Sequence, residues 1–137
     1  MNTTRLNPFG NLVARALMAL IFIGAGISEI GGYAGTLAYM ESAGVPAMLL
    51  PLVIALELGG GLALLLGIGA RVSAVVLAGF TLVAALLFHA DFADQMQSIL
   101  FMKNLAIAGG LLMVALHGPG AWSAARLLEH RSAMAAH

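Results

Sequence analysis

Cysteine is absent from this 137-residue chain. That excludes disulfides, thiol catalysis, iron–sulfur ligation and covalent c-type haem attachment within the chain. Charge is also scarce. Asp, Glu, Lys and Arg make up 9% of residues, against roughly 25% in a soluble domain. Such a chain cannot cover a globule with water-compatible surface, and 61% of it is hydrophobic. It is therefore an integral membrane protein, long enough for one domain. The few charges sum to zero with no basic block, so nucleic acid is not an expected partner. No HExxH motif or Cys/His cluster occurs, and no metal site is expected. The eight methionines are scattered and read as core filler.

What is present is four long apolar runs, at about 12–30, 48–68, 72–90 and 99–117. Each approaches the roughly 20 residues that a helix needs to cross a bilayer. The runs are too long for barrel strands and lack a two-residue alternation. The first follows Arg5 and Arg15 without a convincing small-residue cleavage site, so it is read as a retained span rather than a signal peptide. Short connections after the second and third runs favour antiparallel neighbours. The predicted fold is all-α, a single four-helix transmembrane bundle over 1–137 with a tail at 118–137. Between the first two spans, 33–43 carries Leu37, Tyr39 and Met40, then Gly44 and Pro46. This pattern predicts a short interfacial helix, with an ordered loop anchored by aromatics as the alternative.

Orientation follows from the basic residues. Arg5, Arg15, Arg71, Arg126 and Arg131 gather on one side, while Glu41, Asp91 and Asp94 lie on the other. The positive-inside rule then places both termini in the cytoplasm.

Glu57 is the costliest residue, the one charge in the run 48–68. A carboxylate at mid-membrane must be neutral, paired or facing water. Helical spacing puts it on a stripe with Val53, Gly60, Gly61 and Leu64, small enough in part for a neighbouring helix to approach. It is expected to face the bundle. Arg15, Phe22 and Glu29 recur every seven residues and share a stripe of the first helix. Arg15 and Glu29 are about 21 Å apart along it, too far to pair. On the fourth span Lys103, Gly110 and His117 repeat at seven, with Asn104 beside them. His89 ends the third span. His89 and His117 fall at opposite ends of adjacent helices, which excludes one shared haem iron.

With this orientation Glu29, His89, Lys103 and Asn104 fall in the outer half of the membrane. Lys103 lies about 5 Å shallower than Glu57, within reach of a long side chain. Glu57, His89 and Lys103 are thus expected to line one outer cavity as catalytic groups. Arg15, Phe22, Glu29, Phe101 and Asn104 are candidate ligand-binding residues, with Arg15 set apart from the cavity itself. Each also has a plain structural reading. Glu57 can tie helices together, Lys103 and Arg15 can snorkel to headgroups, and His89 and Glu29 can reach interfacial water.

The order of these features resembles the DoxX family of small bacterial membrane proteins. The resemblance rests on Arg15, Gly24-Ala25-Gly26, and Gly35-Thr36-Leu37-Ala38-Tyr39-Met40 through Gly44-Val45-Pro46. It continues with Glu57 before a glycine-rich segment, Gly67 then Arg71, Phe88-His89, Lys103-Asn104 before Gly109-Gly110, and Gly118-Pro119-Gly120. It implies a four-helix inner-membrane protein. Members resemble the membrane subunit of thiosulfate:quinone oxidoreductase, or are associated with quinones and oxidative stress. The chain departs from the family pattern at Glu29, where a lysine is expected, so an anionic substrate such as thiosulfate does not carry over. The expectation is a redox-associated subunit binding a quinone-like or small apolar ligand, with electrons supplied by a partner protein or by the substrate. A homo-oligomer is a further expected partner. The alternatives are a small proton-coupled transporter and a membrane scaffold without activity of its own.

Overall fold

The computed structural model describes residues 7–136. Arg5, used above for orientation, lies outside them. Six α-helices follow one another: α1 (Pro8–Gly31), α2 (Tyr33–Ser42), α3 (Leu50–Leu66), α4 (Ala70–Phe88), α5 (Gln95–His117) and α6 (Ala124–Ala135). No strand occurs among the described residues. Four helical stretches, Pro8–Gly31, Ala47–Leu66, Ala70–Phe88 and Gln95–His117, are long and apolar enough to cross a membrane. The all-α bundle and the short helix between the first two spans are as the sequence predicts.

Local chemistry sets the helix ends. Asn7 caps α1, its side-chain oxygen accepting from Phe9 N at 3.0 Å, and Pro8 opens the first turn. Gly32 interrupts the path between α1 and α2. Asp94 caps α5 by accepting from Met96 N at 2.7 Å and Gln97 N at 3.2 Å. Gly67 and Gly118 end α3 and α5 with φ of 75° and 79°, a left-handed region that side chains disfavour.

The bundle is two helix pairs. α1 packs mainly on α3, α4 mainly on α5, and α3 and α4 join the pairs. The first pair is close because both helices carry glycine where they cross. A methyl added at Gly61 would lie 2.8 Å from Ile23 Cγ1 and 3.3 Å from Ala19 O, and one at Gly26 would lie 2.7 Å from Leu58 Cγ. Ala19, Phe22, Leu64, Leu77, Ala78 and Leu111 form much of the core. Large apolar side chains such as Leu17, Leu52, Val72, Leu86 and Leu116 remain exposed, as lipid-facing positions require.

Each pair is fastened at its termini end by an arginine. Arg15 is 1% exposed. Its Nη1 donates to Leu64 O at 2.8 Å and Leu65 O at 2.9 Å, its Nη2 to Trp122 O at 2.5 Å, and its Nε to Asn11 Oδ1 at 3.0 Å. Arg71 on α4 repeats the device, donating from Nη1 to Ala115 O and Leu116 O at 2.9 Å. Both guanidinium groups sit on the carbonyl-rich end of the partner helix, where positive charge is favoured. Arg15 is therefore a fastening, set apart from the α2 end of the bundle. It does not snorkel, because protein carbonyls take the place of phosphates.

The tail at 118–137 carries α6. Ser123 Oγ accepts from Arg126 N at 3.4 Å, and Trp122 meets Phe9 edge-on with ring centres 6.3 Å apart.

Candidate functional site

The α2 end of the bundle encloses a cavity of about 430 Å³. α1 contributes Phe22, Ala25 and Glu29, and α3 contributes Val53 and Glu57. α4 supplies Phe80, Thr81, Ala84 and Phe88, with His89 just beyond its end, and α5 supplies Asn104 and Ile107. α2 covers the cavity with Thr36, Tyr39 and Met40. Tyr39 stacks on Phe88, the rings 5.1 Å apart and 20° from parallel, so α2 is joined to α4 across the mouth. Ile21, Leu49, Val83 and Leu87 also line the cavity and are exposed on the apolar flank. The cavity thus opens sideways toward lipid.

On its wall Glu29 and Glu57 are neighbours within hydrogen-bonding reach. Glu57 is 6% exposed. As two ionised carboxylates the pair would only repel, each with a buried Oε2 that no donor reaches. A shared proton turns that opposition into a hydrogen bond. Thr81 Oγ1 is a third buried polar atom on the cavity wall without a partner. His89 Nδ1 lies 2.7 Å from Gln97 Oε1 at the rim.

Of the residues singled out from sequence, Glu57, His89, Phe22, Glu29 and Asn104 meet in this cavity. Lys103 does not. It is exposed and lines a separate shallow groove with Gln95, Ser98, Ile99, Met102 and Ala106. One residue along a helix is about 100° of rotation, so with Asn104 facing inward Lys103 must face away. The partner of Glu57 is a carboxyl of α1 rather than an amine of α5. Phe101 is also outside the cavity and packs edge-on against Phe92, ring centres 5.0 Å apart. The seven-residue repeat of Lys103, Gly110 and His117 gives a face of α5, but the packed structure turns Asn104 rather than Lys103 into the cavity.

Sequence reasoning missed Thr36, Met40, Thr81 and Gln97 as neighbours of the site. Thr81 carried a signal, a hydroxyl amid the long apolar stretch of α4. The contributions of α2 carried none, because they depend on how that helix folds back over the bundle.

Four apolar helices around a buried acid pair define a small polytopic membrane protein with a ligand-sized cavity. The DoxX family model matches residues 10–90, most of the chain. The inner membrane protein YqjF of Escherichia coli (strain K12) is 55% identical over 127 residues, covering 93% of this chain and 98% of that one. The inner membrane protein YphA of the same organism is 37% identical, covering 90% and 97%. A protein of Bacillus subtilis (strain 168) named "Putative oxidoreductase CatD" is 32% identical, covering 79% and 75%. No solved structure matches. The chain belongs to the DoxX family.

Proposed function

We propose that this chain is a redox-associated subunit of the bacterial inner membrane whose cavity holds a quinone-like or small apolar ring. The observation that carries the reading is the Glu29–Glu57 pair set in a mainly apolar, aromatic-walled cavity. Small-ligand sites commonly measure about 300–1,000 Å³ and combine apolar walls with a few convergent polar groups. Reducing a quinone consumes two electrons and two protons. In this reading the protonated pair donates a hydrogen bond to one ring carbonyl, and the Asn104 amide is available to orient the ring. His89 at the rim is available to pass protons between the pair and water. The sideways opening suits a ligand dissolved in the bilayer. Electrons come from a partner protein or from the substrate itself. The names of YqjF and YphA support the location, and that of CatD supports the oxidoreductase class.

Equilibrium dialysis of the purified chain against a short-chain benzoquinone tests the proposal. Saturable binding is expected, weakened at least about tenfold in Glu57→Leu because the donor is lost. Lys103→Met, outside the cavity, should bind as the parent does. A parent protein that takes up no quinone sinks the reading.

A further inference from the structure

The charge balance of the cavity goes beyond a neutral ring. Among the described residues, no lysine or arginine lines it. Arg15 and Arg71 are held by helix-end carbonyls, and Lys103 faces another groove. The titratable groups around the pair are Tyr39 from α2 and His89 after α4. α5 contributes only the neutral Asn104, and α1 and α3 contribute the two glutamates themselves. Among the described residues no fixed positive charge lines the cavity to compensate an anion.

Two further observations indicate what the cavity accepts. Thr81 is 4% exposed, and its hydroxyl oxygen lies on the wall without a partner, independently of the carboxyls. Phe22, Phe80 and the stacked Tyr39–Phe88 pair give the walls aromatic character. Aromatic faces attract cations, most strongly where water is excluded. The opening toward lipid restricts entry to molecules that partition into the bilayer.

We infer that the cavity binds an apolar organic cation in exchange for a proton of the Glu29–Glu57 pair. The inference rests on the ligand cavity proposed above but not on its redox role. The exchange balances. With both carboxyls protonated the site is neutral. An entering cation drives one proton to water, the remaining proton stays shared between the two glutamates, and the site is neutral again. A neutral quinone requires the opposite state, because it accepts a hydrogen bond from the fully protonated pair. The two ligand classes should therefore respond to pH with opposite sign.

The probe is tetraphenylphosphonium, titrated calorimetrically into the full chain in detergent, in buffers of different ionisation enthalpy. Affinity should rise toward about tenfold per pH unit, with close to one proton released per cation bound. Tetraphenylborate, equal in shape and opposite in charge, should not bind. Glu29→Gln and Glu57→Gln should each weaken binding at least about tenfold, the double variant should abolish proton release, and Lys103→Met should leave both unchanged. The pH profile of the parent chain needs no variant, so a misfolded mutant does not protect the idea. Binding that is independent of pH, or equal for the borate, overturns it. So does proton release that survives the double Glu29→Gln, Glu57→Gln variant but vanishes in His89→Gln. Quinone binding without phosphonium binding overturns the cation inference alone. Failure of both ligands removes the cavity reading with it.

Discussion

Arg15 and Glu57 are both ionisable side chains inside apolar helices, yet their surroundings give them different work. Arg15 has donors satisfied by four oxygens on three segments of chain. Glu57 faces another carboxyl and retains an oxygen with no donor. Four of five N–H groups held by protein oxygens mark a fastening, and a buried acid oxygen without a donor marks a place for a ligand or proton. Arg15→Met should therefore destabilise the fold without touching the cavity. It leaves buried carbonyls at Leu64 and Leu65 unpaired, at about 1–3 kcal/mol for each such group. Arg71→Met should cost less, because the carbonyls it serves are at an exposed position. Thermal unfolding in detergent, followed by circular dichroism, checks the order. Equal losses for the two arginines would refute the assignment.

At the scale of elements, close approach of α1 and α3 is what brings Glu29 to Glu57. Gly26 and Gly61 permit that approach. Gly59, one helical face away, has nothing within 4 Å of an added methyl. Gly59→Ala should be neutral or stabilising by up to about 1 kcal/mol through helix propensity. Gly61→Ala should destabilise by about 1–3 kcal/mol, because the backbone atoms of Ile23 and Ala19 cannot move aside as a flexible side chain can. The Gly61 variant should also weaken ligand binding by separating the two carboxyls. Unfolding temperatures of the two alanine variants, measured side by side, decide this; a Gly61→Ala protein as stable as Gly59→Ala would exclude tight α1–α3 packing.

For the whole molecule, four antiparallel spans put the start of α1 and the end of α5 on one side of the bundle and α2 on the other. Arg71 and Arg126 belong to the termini side, and Glu41, Asp91 and Asp94 to the α2 side. The positive-inside rule predicts the basic side in the cytoplasm, and on that expectation we propose that the cavity opens in the outer half of the membrane. Reporter domains fused to the C-terminus should be active only when the reporter functions in the cytoplasm. An exported reporter that is active there would invert the bundle and move the proton exchange to the inner half.

The sequence by itself determined the membrane class, the four spans, the short helix before α3 and the inward face of Glu57. Those follow from quantities local to a helix: its run of apolar residues, its end signals, and the 3.6-residue period that gathers Glu57, Gly61 and Leu64 on one stripe. Helix ends differed from expectation by up to four residues, at the starts of α1 and α5, where the Asn7 and Asp94 caps start each helix before the apolar run begins. The partner of Glu57 was decided only by tertiary structure. Depth allowed either Glu29 or Lys103 to reach it, and no local pattern states which helices adjoin or how each is rotated. Rotation of α5 turned Asn104 inward and Lys103 outward, while the glycines of α1 and α3 drew Glu29 against Glu57. The same limit hid the role of Arg15, because the carbonyls that hold it belong to residues about 50 and 107 positions away in the chain, brought near only when the helices pack.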